Sequence, residues 1–168
     1  LQLDVDSLQK RFYQLSREFH PDRFAARPVP DRLAAEQQSA MLNDAYRVLR
    51  DPLARAEYLL RQEGFDIGEQ RTKDVPPELL EEVFELNMAL EEARIGDEDA
   101  RGQVRGMHDH FLKMQSAIDQ ELNTLFGSYD AAATAGSTRE VLQQIRAALN
   151  RRRYVRNLVS EVEKELAQ

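Results

Sequence analysis

Leu15-Ser16-Arg17-Glu18-Phe19-His20-Pro21-Asp22-Arg23-Phe24 is the stretch that decides how this chain folds. Upstream of it, Leu8 and Phe12 lead into Leu15 and Phe19 at steps of four, three and four, which places all of them on one face of a helix. That helix has to end at Pro21, because the residue before a proline avoids helical geometry. Asp4 or Asp6 supplies the cap at the other end, since a short carboxylate accepts amide hydrogens that lack an intrahelical partner. His20 therefore falls at the helix C-terminus, and Pro21 stiffens a turn from which Asp22 projects. Lys10, Arg11 and Arg17 lie along the helix, with Arg23 and Arg27 just past the turn. Residues 1–30 hold five Lys or Arg against four Asp or Glu, a locally basic stretch in a chain of formal net charge −7.

Working outward, almost every segment reads as helix and no run alternates like a strand. A loop with Pro28 and Pro30 precedes a second helix over 31–49, whose Leu42, Ala45, Tyr46 and Leu49 are expected to face inward. Asp51-Pro52 is an N-cap followed by a proline at the first helical position. The short third helix carries Ala56, Leu59 and Leu60 and stops near Gly64. Residues 65–76, rich in breakers and poor in periodicity, read as a linker. Three longer helices follow. Their apolar rows are Leu79, Val83, Leu86, Leu90 and Ala93; then Val104, Met107, Phe111, Met114, Ile118, Leu122 and Leu125; then Val141, Ile145, Ala148, Val155, Val159, Val162 and Leu166. Steps of three and four sustained over such lengths suit helices packed at small crossing angles. Asp130 to Gly136 reads as a turn of small residues. The expectation is an all-α chain: a helical hairpin module over 1–64, a linker over 65–76 and a three-helix bundle over 77–168.

Composition narrows the chemistry. With 42% hydrophobic and 32% charged residues among 168, the chain has the apolar content of a folded protein. The absence of cysteine excludes disulfides, thiol catalysis and cysteine-held zinc or iron–sulfur clusters on this chain. The net negative charge argues against general nucleic-acid binding. No apolar run is long enough to span a bilayer and no leader pattern is present, so a cytoplasmic location is expected. His20 and Asp22 flank a proline with no nucleophile beside them, which argues against an enzyme. Taken alone, the tripeptide leaves a plain capping reading open, His20 serving the last helical carbonyls and Asp22 the loop.

The surrounding residues carry a resemblance. The quoted stretch resembles the second helix and loop of J domains. Asn43-Asp44-Ala45-Tyr46-Arg47-Val48-Leu49-Arg50-Asp51-Pro52, continued by Arg55-Ala56-Glu57-Tyr58-Leu59-Leu60, is similar to their third and fourth helices. The His-Pro-Asp-Arg-Phe form and the Arg-Ala-Glu-Tyr-Leu-Leu ending look like the HscB branch. Pro77-Glu78-Leu79-Leu80-Glu81-Glu82-Val83-Phe84-Glu85-Leu86-Asn87-Met88 resembles the first helix of the HscB C-terminal bundle, and Tyr154-Val155-Arg156-Asn157-Leu158 part of its last. The short helix that usually opens a J domain is not found ahead of Leu1, so residues are expected to be missing there. The lack of a cysteine-rich extension points to a bacterial rather than a mitochondrial member.

The resemblance implies a co-chaperone of a DnaK-class, HscA-type ATPase in iron–sulfur cluster assembly. It implies no cofactor, with His20, Pro21, Asp22, Lys10, Arg11, Arg17 and Arg23 meeting the ATPase and Asp22 engaging an arginine there. It also implies that an IscU-type scaffold protein docks on Leu80, Phe84, Glu85, Met88, Glu92 and Tyr154. Relatives tend to carry an acidic residue where this chain has Met88, and some carry Met where it has Glu81. Two other readings stay open: a J-domain protein with another client, and a helical interaction protein whose His-Pro-Asp turn is incidental.

The residues themselves make the second surface conspicuous. Leu80, Phe84 and Met88 form a row at spacing four, separate from the core row of the same helix. Residues 75–95 hold six Asp or Glu and one Arg, so this row sits in acidic surroundings. Either it meets a partner or it packs on neighbouring helices or the first module. Other signals are set aside. His108 and His110, two apart on a helix, point to different sides and are expected to be solvated. Arg151, Arg152, Arg153 and Arg156 form too short a basic run for nucleic acid, with Arg152 expected to snorkel to solvent. Asp97, Glu98 and Asp99 read as helix-start charges.

Overall fold

Asp4 starts the first helix, α1 (Val5–Glu18). Its Oδ1 accepts from the amides of Asp6 at 3.1 Å and Ser7 at 3.3 Å, and its Oδ2 accepts from the Ser7 hydroxyl at 2.6 Å. The Ser7 hydroxyl and then the Ser7 amide hold the Asp4 carboxyl below its ordinary pKa. These details come from a computed structural model that describes residues 1–66, 77–133 and 138–167. The chain divides into two compact units, Leu1–Phe65 and Asp66–Gln168.

In the first unit, α2 (Val29–Arg50) packs against α1, and α3 (Pro52–Gln62) packs against α2. The ring of Phe12 stacks on Tyr46 with centroids 4.1 Å apart and planes 15° from parallel, which fixes the register of the α1–α2 hairpin. The second helix begins earlier than the expected residue 31: Pro28 occupies the N-cap position and Pro30 lies inside the first turn. A proline there sacrifices no bond, because the first helical amides have no intrahelical acceptor. Two residues expected to face inward do not. Ala45 is exposed, being rotated about 100° from Tyr46 off the row that carries Ala35, Leu42 and Tyr46. Leu49 is 38% exposed, one turn past Tyr46 at the open end of the hairpin.

Asp51 caps α3, its Oδ1 accepting from Leu53 at 2.8 Å and Ala54 at 3.2 Å. Gly64 closes the same helix with φ of 76°, and the Phe65 amide reaches back to the Leu60 carbonyl at 2.9 Å. A left-handed glycine is what such a helix ending needs.

The second unit consists of a 3-10 turn (Pro77–Leu79) and the helices α4 (Leu80–Arg94), α5 (Glu98–Ala133) and α6 (Arg139–Leu166). α5 packs on both α4 and α6, and α4 touches α6. The core is a continuous set of fully enclosed side chains: Leu86 from α4, Val104, Phe111 and Leu122 from α5, and Leu142, Ile145, Val155 and Val162 from α6. α6 also buries Leu149 and Leu158: by helical angle Leu142 and Leu149 widen the expected stripe on one edge and Leu158 on the other, because α6 packs on α5 and touches α4 as well. The turn of small residues expected over Asp130 to Gly136 is helical in its first part. Asp130 to Ala133 are the last turn of α5, and residues 134–136 lie outside the described residues, as does most of 65–76. Between α4 and α5, Gly96 takes φ of 95° and Asp97 caps α5 through the amides of Asp99 at 2.9 Å and Ala100 at 3.2 Å.

Two arginine pairs bind α6 to α5. Arg151 holds both carboxylate oxygens of Glu121 at 2.6 and 2.7 Å. Arg152 forks onto both oxygens of Asp119, so it is fixed by a carboxylate across the helix interface and does not snorkel. A forked arginine satisfies two donors at once in a half-buried place, which a solvated one would not need.

Candidate functional site

α1 ends at Glu18, and Pro21–Phe24 form a single 3-10 turn packed on α2. His20 stands at the N-cap of this turn in extended geometry, φ −62° and ψ 127°. Pro21 has no amide hydrogen, so the first donor needing a partner is that of Asp22. It donates to His20 Nδ1 at 3.3 Å. A hydrogen bond thus joins the residues on either side of the proline. It uses the Asp22 amide and not its carboxylate. His20 serves the start of the turn, not the last carbonyls of α1. A carbonyl of α1 is met instead by Arg23, whose guanidinium donates to the Arg17 carbonyl at 3.2 Å.

These bonds leave the Asp22 side chain outside. It is 90% exposed, with Oδ2 at 3.5 Å from His20 Nδ1. That ring nitrogen already accepts from the Asp22 amide, so its lone pair does not hold the carboxylate. Around the turn, Lys10, Tyr13, Gln14, Arg17, Glu18 and Arg23 line one shallow groove, and Tyr13, Ser16, Arg17, His20 and Arg23 another. Arg11 lies apart from both, donating to Gln14 at 3.0 Å. The arrangement is a projecting carboxylate set in a field of cations on a stiff base, suited to meeting a protein surface. It has no enclosed volume for a small substrate.

On α4, the residues named by the sequence separate into an inner and an outer side. Leu86, Ala89, Leu90 and Ala93 are buried, while Leu80 is 55%, Phe84 68% and Met88 51% exposed. At about 100° per residue, the outer row lies opposite the core row. Ile95, 85% exposed, falls between Phe84 and Met88 in angle and extends the row past the helix end. Its position eleven after Phe84 and seven after Met88 carried that signal in the sequence. Glu85 and Glu92 are exposed too, and with Glu81 they border the same edge of the row. Tyr154 stands on α6, half-buried. Burial first, and then the Glu161 carboxylate, push its hydroxyl pKa above the ordinary value.

His108 corrects one expectation. It is not a solvated partner of His110: its side chain is 22% exposed and its Nε2 faces Glu163 Oε1 of α6 at 3.5 Å. Among the described residues no group of three or more His, Cys, Asp or Glu is placed to hold a metal ion. No helix among them is long and apolar enough to cross a membrane.

Comparison with known proteins agrees with this two-part anatomy. Residues 2–58 match the DnaJ domain, and residues 75–163 match the HSCB C-terminal oligomerisation domain. A co-chaperone protein HscB homolog from Vibrio atlanticus is 48% identical over 127 residues, covering 73% of this chain and 74% of that protein. A homolog from Vibrio vulnificus is 44% identical over 126 residues, 72% of each chain. Among solved structures, chaperone HscB from Vibrio cholerae superposes with a TM-score of 0.64 at 29% identity, covering 97% of this chain and 88% of that one. Human co-chaperone protein HscB gives 0.68 at 27% identity, over 98% of this chain and 75% of the human one. With a DnaJ domain, an HscB C-terminal domain and this degree of likeness to HscB proteins, the chain belongs to the HscB family of J-domain co-chaperones.

Proposed function

We propose that this protein couples two partners: a DnaK-class, HscA-type ATPase engaged by the His-Pro-Asp turn, and an IscU-type scaffold protein carried by the outer face of α4. In this division of labour, residues 1–64 form the J module, 65–76 link it, and 77–168 bind the scaffold. The observation that carries the reading is the Asp22 carboxylate, 90% exposed on a capped turn behind a packed hairpin. An arginine of the ATPase, pairing with Asp22 as it is desolvated, would form a charge-assisted bond. Lys10, Arg11 and Arg17, with Arg23 at the turn, supply a positive approach to an acidic partner surface, which raises encounter rate and sets orientation. Bond chemistry stays on the ATPase, and this chain speeds it.

The scaffold is proposed to cover Leu80, Phe84 and Met88, with Glu85 and Glu92 meeting cations at its rim and Tyr154 contributing from α6. An exposed apolar row with a charged border is the usual make-up of a partner surface. The likeness to Vibrio homologs supports a bacterial, cytoplasmic setting. Steady-state ATP hydrolysis by an HscA-type chaperone, with this protein and with Asp22→Asn, tests the first half. Stimulation by the native chain and its loss in the variant are expected. Equal stimulation by both, or none by the native chain, overturns the assignment.

A further inference from the structure

Resting on the reading that α4 carries the scaffold protein, we infer that Ile95 is a second apolar anchor for that partner, held on a rigid corner beyond the row Leu80, Phe84 and Met88. Ile95 is 85% exposed, more than any other large apolar side chain among the described residues. A single apolar side chain in water is ordinary on a protein surface. What sets this one apart is the backbone that carries it.

Ile95 stands at the C-cap of α4 with φ −85° and ψ 5°. The two residues after it close the helix as a Schellman motif. The Gly96 amide donates to the Ala93 carbonyl at 3.1 Å, and the Asp97 amide donates to the Glu92 carbonyl at 3.2 Å. Gly96 supplies the left-handed conformation that this closure needs, with φ of 95°. Asp97 then caps α5 through the amides of Asp99 and Ala100, so α4 passes into α5 across three residues. The apolar contact that often accompanies such a closure joins the second residue past the cap to the last helical turn. Those places are held here by Asp97 and Glu92, and Ile95 takes no part. The corner therefore fixes the isoleucine without using it. A fixed main chain and a β-branched side chain with few rotamers lose little freedom when a partner covers them.

Position ties this residue to the face already proposed for the scaffold. At about 100° and 1.5 Å per residue, Ile95 falls within the angular span of Leu80, Phe84 and Met88, about 10 Å past Met88 along the axis. Glu91 lies in the same span between them and Glu92 at its edge, both exposed. The order along the face is thus an apolar patch, a pair of carboxylates and a lone isoleucine, over about 22 Å from Leu80. A partner that reaches Ile95 has to cross the carboxylates, so it presents an apolar surface, then Lys or Arg, then a second apolar contact. The same carboxylates disfavour a second copy of this chain laid face to face, because its α4 is equally acidic.

Isothermal titration of an IscU-type scaffold against the full chain carrying Ile95→Ala, Ile95→Leu, or Leu80→Ala with Phe84→Ala tests the anchor, with thermal unfolding and sedimentation of each variant. Ile95→Ala is expected to weaken binding roughly tenfold in Kd, while Ile95→Leu, of equal volume, stays within about threefold of native. Both should unfold within about 4 °C of native, since the side chain lies outside the core. Unchanged affinity in Ile95→Ala, with the Leu80 and Phe84 variant weakened, overturns the anchor and leaves the α4 reading standing. No binding by the native chain, or binding that neither variant weakens, sinks the α4 reading and the anchor together. Self-association of the native chain that Ile95→Ala abolishes, at unchanged scaffold affinity, gives the isoleucine to a second copy and also overturns the inference.

Discussion

Replacing Leu80 and Phe84 together by alanine separates recognition from folding on α4. Leu80 is 55% and Phe84 68% exposed, so little of either side chain contributes to the bundle core. Truncating exposed side chains to alanine, the best helix former, changes stability by about 0.5 kcal/mol at most, and the midpoint of thermal unfolding should move by less than about 4 °C. Binding behaves differently. Full burial of a Leu or Phe side chain stabilises by about 1.5–3 kcal/mol. If a scaffold protein covers the exposed fractions, the pair loses about 2–3 kcal/mol, or roughly 30- to 150-fold in Kd. Isothermal titration of an IscU-type scaffold against native and double-variant protein measures this directly. Phe111→Ala is the contrasting control: that ring is 0% exposed, and its truncation should cost about 3–5 kcal/mol. Undiminished scaffold affinity in the double variant clears this face of the role. An unfolding midpoint lowered as far as by Phe111→Ala refutes the claim that the row lies outside the core.

Three further outcomes are expected. Phe12→Ala removes the ring stacked on Tyr46 and should destabilise the α1–α2 hairpin by about 2–3 kcal/mol, seen as faster amide exchange in both helices and weaker ATPase stimulation although Asp22 is untouched. Asp51→Ala takes the shared acceptor from the Leu53 and Ala54 amides and should cost about 1 kcal/mol, with Asp51→Asn nearly neutral; urea titration of both variants measures the difference. Tyr154 has a folded-state pKa raised above the ordinary tyrosine value by burial and then by Glu161, so the folded chain keeps this proton longer than the unfolded one. Its contribution is fully present below the unfolded pKa and is lost as pH climbs through the folded one. Stability should therefore fall above pH 10, less steeply in Tyr154→Phe, in denaturant titrations across that range.

The hairpin and bundle were legible in the sequence because their apolar residues recur at helical steps. Leu8, Phe12, Leu15 and Phe19 keep to one side of α1 with no competing neighbour. Periodicity failed where a helix has more than one partner. α6 faces two helices, so it buries Leu142, Leu149 and Leu158 beside the single row that the apolar steps pick out. Leu49 has the right step for a core position and is nonetheless 38% exposed. Side chains joined across space were out of reach altogether. Nothing in the run Arg151-Arg152-Arg153 identifies Asp119 and Glu121 as partners, and nothing near His108 identifies Glu163. At the turn, the order His-Pro-Asp places Asp22 on a corner. The bond to His20 Nδ1, and the tie from Arg23 to the Arg17 carbonyl, depend on backbone geometry that residue types do not express.

The same limits explain why α4 is informative. A helix with one apolar face announces its core, whereas α4 carries apolar residues on opposite sides and so looks nearly uniform around its circumference. The core row accounts for one side. Leu80, Phe84, Met88 and Ile95 need another explanation, since leaving four large apolar groups in water is unfavourable by the same effect that folds the bundle. Their border is uneven. By helical angle Glu81, Glu85 and Glu92 follow one edge, while Asn87 and Arg94 follow the other. A partner laid along the row would be aligned by placing its cations over the glutamates. The turn at Asp22 has the reverse character: its carboxylate projects among Lys10, Arg17 and Arg23, which outnumber the nearby Glu18, and the partner proposed for it is acidic around one cation. An acidic surface drawn to α1 is repelled by α4, and a basic rim drawn to α4 is repelled by α1. Opposite charge on the two surfaces thus discriminates between the proposed partners before any close fit is tested, as repulsion of the wrong partner contributes to specificity alongside attraction of the right one.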